Sequence, residues 1–132
     1  MAEKPNSVNP QDWIDDAERD LKFAEIGILS GDAQITRGLC LLSHLIAEKA
    51  LKALYLKKNG ELPGRIHNLV ELASAIDLSE LKRPEIDEII RRLDEFRVPM
   101  KYPKGEPLPP WNLAVKALED AKTVLELVKK LI

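Results

Sequence analysis

The residues best suited to chemistry lie in one predicted helix between positions 32 and 58. Five polar residues recur there at intervals of seven, four, four and three: Arg37, His44, Glu48, Lys52 and Tyr55. Residues at these spacings share a helix face, so the sequence predicts a polar strip. The strip could bind an anionic group through Arg37 or Lys52, with His44 as acid or base. It could also be a solvated surface on which Glu48 and Lys52 form a routine ion pair, worth about 0.3–0.5 kcal/mol.

A second candidate is the segment 97–104, RVPMKYPK, which lies in a stretch too rich in proline to be helical. In this segment Arg97, Lys101 and Lys104 flank Tyr102. Cations beside an aromatic ring can bind a phosphate and stack a base, as in sites for nucleotides or single strands. Alternatively, the tyrosine packs on the protein while the lysines face water.

The pair His67-Asn68, shortly after the turn at Pro63-Gly64, is the third candidate. A histidine at a turn can bind or titrate, although a pair of this kind also serves to cap the helix that follows. Outside these three places the sequence has no glycine-rich phosphate loop, no nucleophile elbow and no histidine pair at ligand spacing. It therefore predicts no metal site and no cofactor other than a possible nucleotide ligand.

Composition supports one domain spanning residues 1–132. The chain has a formal net charge of -2 and 45% hydrophobic residues, an ordinary balance with no overall attraction to nucleic acid. Its single cysteine, Cys40, excludes an internal disulfide and is interpreted as a buried small hydrophobe. With no signal peptide and no uninterrupted apolar span, the sequence predicts a soluble cytoplasmic protein without membrane contact.

Hydrophobic periodicity places these residues in an all-α fold, an up-and-down four-helix bundle with one additional short helix. The predicted helices cover residues 10–30, 32–58, 67–76, 84–96 and 112–132. Residues 1–9 are predicted to be flexible, and 99–111 to form a proline-rich loop. The second helix is apolar around most of its circumference, so it must be central, within the bundle or at a dimer interface.

Three blocks of the sequence resemble the HEPN family, named for nucleotide binding in higher eukaryotes and prokaryotes. The most specific is Cys40 followed by AEKALKAL at positions 47–54. His67-Asn68-Leu69 with Leu72 resembles the start of the family's next helix, and Lys101-Tyr102-Pro103 resembles its tyrosine-proline block. The resemblance extends in order over almost the whole chain and implies the helical-bundle scaffold.

The resemblance also implies functions. Family members often pair with a small nucleotidyltransferase, as a toxin–antitoxin pair or a two-component system. The leading hypothesis is therefore a homodimer that binds nucleotide or RNA phosphate and acts with such a partner. Its candidate ligand-binding residues, on the second helix and in the two later blocks, are Glu48, Lys49, Lys52, His67, Arg97, Lys101, Tyr102 and Lys104.

Two alternatives remain open. The first is a metal-independent endoribonuclease in which Arg37 and His44 face a cleft shared across a dimer. The ribonuclease members of the family carry an arginine followed by a histidine in a late helix, whereas no histidine follows His67 here. This departure favours binding over catalysis. The second alternative is a domain that serves protein assembly alone.

Overall fold

The structure, a computed structural model, describes residues 7–66, 68–96 and 107–132, and these ranges contain five α-helices. Two 3₁₀ turns, Ala33–Ile35 and Ser79–Leu81, precede the second and fourth helices. No strand occurs within the described ranges, so the all-α prediction is confirmed. The helices are α1 (Pro10–Ser30), α2 (Thr36–Asn59), α3 (Leu69–Ile76), α4 (Pro84–Asp94) and α5 (Trp111–Leu131).

Local chemistry explains where these helices begin and end. The Asn9 side chain accepts a hydrogen bond from the Gln11 amide at 3.1 Å, which caps the start of α1. At the other end Gly31 takes a φ of 65°, which a residue with a side chain rarely adopts, and its amide donates to the Ile28 carbonyl. Gly60, with a φ of 76°, ends α2 in the same way. All three ends follow the sequence prediction.

Other helix ends differ from the prediction. The Asp32 side chain caps the 3₁₀ turn at Ala33–Ile35, so α2 begins at Thr36 and not at residue 32. α3 begins at Leu69, because Asn68 caps it by accepting a hydrogen bond from the Glu71 amide at 2.7 Å. α4 ends at Asp94, two residues before the predicted end. Residues 107–110 are non-helical as predicted, and α5 begins one residue early, at Trp111.

The start of the described chain is joined to α1 by hydrogen bonds. Trp13 Nε1 donates to the Ser7 carbonyl at 2.9 Å, and the Ser7 hydroxyl donates to Asp12 at 2.6 Å. Residues 7–9 are therefore held against the helix. The predicted flexibility of residues 1–6 falls outside the described residues.

The second helix is central, as its apolar circumference predicted. α2 contacts each of the other four helices, whereas α1 packs mainly on α2 and α5. Ile46, Ala50 and Leu51 of α2 are completely buried. Cys40 is also buried, and its burial raises the pKa of the thiol to about 11. Cys40 is thus a small core residue, as expected.

Two glycines in helices give a matched test of packing between α1 and α2. A Cβ added at Gly27 would lie 3.0 Å from Ile35 Cδ1 and 3.3 Å from Leu39 Cδ2, whereas one added at Gly38 meets nothing within 4 Å. Gly38→Ala is expected to raise the free energy of unfolding by about 0.5 kcal/mol, because alanine loses less backbone entropy on folding. Gly27→Ala gains the same entropy but crowds two side chains, so its unfolding midpoint in urea should fall below that of Gly38→Ala. Equal midpoints would contradict the close approach at Gly27.

Charged side chains connect the outer helices. Arg92 of α4 donates to both carboxylate oxygens of Asp120 on α5, at 3.0 and 3.2 Å, and the Asp120 side chain is only 4% exposed. Lys122 and Lys129 of α5 pair with Glu25 and Glu18 of α1, so these two helices run antiparallel. Within the described ranges, no helix is long and apolar enough to cross a membrane.

Candidate functional site

A small cleft with both polar and apolar lining lies where α2 meets the start of α3. Its volume is about 40 Å³. Glu48 and Lys52 of α2 form one wall, and their side chains form an ion pair at 2.9 Å. Asn68 and Leu69 form the opposite wall. The structure therefore brings two of the predicted ligand-binding residues, Glu48 and Lys52, to one opening beside Asn68.

Trp13 of α1 adds an aromatic ring next to this cleft. The Lys52 ammonium lies 5.5 Å from the centroid of the Trp13 ring, within the range of a cation–π interaction. Trp13 is half-buried, so part of its surface remains accessible. Sequence reasoning assigned Trp13 only to the apolar stripe of α1. Its position beside Lys52 arises from the packing of two helices, which no spacing within one helix indicates.

His44 lies on the same face of α2 as Glu48, as the spacing predicted, but its side chain is buried. The residue is 3% exposed. Its Nδ1 lies 3.8 Å from Glu48 Oε1 and its Nε2 lies 4.0 Å from Asp94 Oδ1. The shared face is therefore as predicted, but the solvated-surface alternative does not hold at His44, because that part of α2 is covered. Its role as the base of a ribonuclease stays a prediction, and one that would require this buried side chain to become accessible.

Asp94 connects the cleft to α4. Its Oδ1 atom accepts a hydrogen bond from the Leu69 amide at 2.9 Å and lies close to His44 as well. The first amide of α3 is thus satisfied by a side chain from another helix. Sequence reasoning missed this role, because Asp94 has the pattern of an ordinary polar residue near a helix end.

Lys49 faces a different helix from Lys52. Its ammonium lies 2.5 Å from Asp16 and 2.6 Å from Asp20, both on α1. Partial burial lowers the pKa of Lys49, but the hydrogen bonds with Asp16 and Asp20 outweigh that effect, so the pKa is raised overall. Lys49 does not line the cleft. Its geometry is that of a link between α1 and α2, although its predicted role in ligand binding has not been tested.

The remaining predicted residues do not line the cleft or lie outside the described residues. Arg37 and Tyr55 are half-buried on α2. Five candidates lie outside the described residues: His67, Arg97, Lys101, Tyr102 and Lys104. Their predicted roles stay predictions.

The described side chains favour one kind of chemistry. Lys52 offers a cation and Trp13 an aromatic surface, a pairing that suits an anion attached to a flat ring. The adjacent Glu48 carboxylate already holds Lys52, so an incoming anion must compete with it. No group of histidine, cysteine or acidic residues in the described parts of the chain is arranged to hold a metal ion.

Comparison with known proteins supports the same scaffold. A search of curated proteins found no match. Among solved structures, the chain is similar to the crystal structure of TT1696 from Thermus thermophilus, with 28% sequence identity and a TM-score of 0.71. That similarity covers 93% of this chain and 98% of the other. The family model described as HEPN domain matches residues 10–132, nearly the whole chain. The chain therefore belongs to the HEPN domain family.

Proposed function

We propose that this HEPN domain binds the phosphate of a nucleotide or of RNA at the cleft between α2 and α3. The observation that supports the proposal is the position of Lys52, which lines the cleft and whose ammonium lies 5.5 Å from the Trp13 ring centroid. A flexible ammonium can turn toward a phosphate oxygen, and a half-buried indole can contact a base or ribose.

Binding requires an exchange of partners. In the structure Lys52 is paired with Glu48, whose side chain is 31% exposed. Such a partly exposed pair stabilises the fold by less than about 1 kcal/mol, whereas a hydrogen bond to a charged phosphate contributes about 1.5–3 kcal/mol. A phosphate can therefore displace Glu48 from Lys52. Repulsion between Glu48 and the phosphate keeps the affinity modest.

The proposal includes protein partners. The domain acts as a homodimer and together with a small nucleotidyltransferase, as family members often do. In such an arrangement the HEPN domain supplies phosphate binding and assembly, and the nucleotidyltransferase supplies catalysis. Co-expression with a nucleotidyltransferase encoded by a neighbouring gene, followed by size-exclusion chromatography, tests this part. Separate elution of the two proteins would contradict it.

Substitutions at Lys52 and Glu48 test the cleft with opposite expected signs. Isothermal titration with ATP, GTP and a short RNA should show about fivefold weaker binding for Lys52→Ala, because one charge-assisted contact is lost but the Glu48 pair no longer has to be broken. Glu48→Gln should bind about twofold more tightly, because it releases Lys52 and removes a repulsive charge. Lys57→Ala, an exposed lysine of the same helix, is the control and should bind like the wild type.

Two further variants locate the ligand along the chain. Lys101→Ala and Tyr102→Ala test the tyrosine-proline block, which the sequence predicts to contact the same ligand. Weaker binding in these variants and in Lys52→Ala would show that the cleft and the tyrosine-proline block contact the same ligand. Failure of the wild type to bind any of the three ligands would overturn the proposal.

A further inference from the structure

α1 carries a second apolar stripe on the side that faces away from the core. Phe23, Ile26 and Leu29 are 70%, 61% and 86% exposed, although they alternate with the buried residues Leu21 and Ala24. Their spacing of three residues places them along one outer face of the helix. Within the described residues α1 packs mainly on α2 and α5, and neither neighbour covers this stripe. An exposed apolar row on a long helix is typical of an interaction surface.

The stripe is self-complementary when a second α1 lies antiparallel to it. With a two-fold axis at Ile26, Ile26 of one copy meets Ile26 of the other. The same axis sets Phe23 at the level of the partner's Leu29, since each lies three residues from Ile26. Two-fold symmetry makes every such contact occur twice, which is the property of an isologous interface.

Charge supports the same arrangement. The last turn of α1 contains no basic residue, and the acidic Asp32 follows directly after Gly31, so the partial negative charge at this helix end is not offset locally. Lys22 is exposed. In the register centred on Ile26, Lys22 lies at the level of the partner's Ser30, in the last turn of the partner's α1. Each copy thus supplies the cation that the other helix end lacks.

The size of the surface sets the strength of association. At about 150–250 Å² for each large side chain, the stripe exposes roughly 400 Å² per copy, against about 800 Å² per partner in a standard stable interface. Leu29 also borders a groove of about 390 Å³ between α1 and α5, which is lined by Val115 and Leu118 and can extend the contact. Because the exposed stripe is about half the area of a standard stable interface, we expect the dimer to be weak and reversible.

We propose that two copies of this chain associate through α1, antiparallel and centred on Ile26. The inference specifies the surface of the homodimer and so rests on that part of the proposed function. It does not involve the cleft at Lys52, because Phe23, Ile26 and Leu29 lie on the outer side of α1.

Disulfide crosslinking tests the register. Two cysteines at position 26 would face each other across the axis, within the Cβ separation of about 3.5–4.5 Å that a disulfide needs. Ile26→Cys should therefore form a crosslinked dimer on mild oxidation. Phe23→Cys is the matched control, since its two copies would lie six residues, or about 9 Å, apart along the helices and should not crosslink. The wild type should also stay uncrosslinked, because Cys40 is buried.

Analytical ultracentrifugation of the full chain over a range of micromolar concentrations tests the association itself. Ile26→Glu should weaken dimerisation at least tenfold while circular dichroism stays unchanged, since the residue is exposed. Ile132→Glu, an exposed residue close to the other end of α1, should dimerise like the wild type. If the wild type dimerises but Ile26→Glu does too and Ile26→Cys does not crosslink, the α1 inference is wrong and the homodimer stands. If the wild type is monomeric, the homodimer and the α1 inference are both wrong.

Discussion

Replacing Arg92 with alanine is expected to lower the free energy of unfolding by about 2–3 kcal/mol, measured by urea denaturation. The reason is the burial of its partner. The Asp120 side chain is 4% exposed and receives two hydrogen bonds from Arg92. Without Arg92, Asp120 still has Lys116 at 3.5 Å, but that lysine is 57% exposed and compensates only weakly. Because Arg92 itself is 38% exposed, water offsets part of the loss, and the effect stays below that of a fully buried pair.

The neighbouring arginine provides the control. Arg91 is 61% exposed and pairs with Asp87 on its own helix at 2.9 Å. Arg91→Ala removes the same charge and nearly the same helix propensity, but it leaves no buried carboxylate behind. Its unfolding midpoint should be close to that of the wild type. Equal losses in the two variants would show that charge alone, and not the contact between α4 and α5, sets the effect.

Replacing Asp94 with alanine is the second large change and is expected to cost about 2 kcal/mol of unfolding free energy. The substitution removes the acceptor for the Leu69 amide and the carboxylate that lies 4.0 Å from His44 Nε2. Both losses occur where α2, α3 and α4 meet, so α3 should loosen first. Urea denaturation measures the total, and faster hydrogen exchange of the Leu69 amide would locate the change at the start of α3.

Asp94→Asn separates the two contributions of this residue. Asparagine keeps an acceptor oxygen for the Leu69 amide but removes the negative charge beside His44. If capping dominates, Asp94→Asn should recover most of the stability lost in Asp94→Ala. A loss as large as that of alanine would instead assign the effect to the contact with His44.

Much of the fold could be predicted because its determinants are local. Asn9 and Gly31 set the ends of α1, and Gly60 ends α2, through bonds within a few residues of each other. The apolar circumference of α2 likewise predicted its central position. The start of α2 was missed because the Asp32 side chain can cap either an α-helix or a 3₁₀ turn, and the local sequence does not distinguish them.

The candidate site was less predictable because it depends on contacts between helices. Spacing placed His44 on the same strip as Lys52, yet α2 is covered on so many sides that His44 is buried. Lys49 and Lys52 look alike in the sequence, but one faces Asp16 and Asp20 and the other faces Trp13. Asp94 and Asp120 carried no sequence signal at all. Their importance comes from partners 25 and 28 residues away in the chain.

The central position of α2 also determines how the domain opens. Because this helix contacts all four others, its backbone cannot separate from them one neighbour at a time without exposing core residues on several sides. Opening at α2 therefore requires nearly the full unfolding free energy, whereas α3, with eight residues, can open at lower cost. Lys52 is thus held on the central helix, and the opposite wall of its cleft, at Asn68 and Leu69, lies at the start of the shortest α-helix among the described residues.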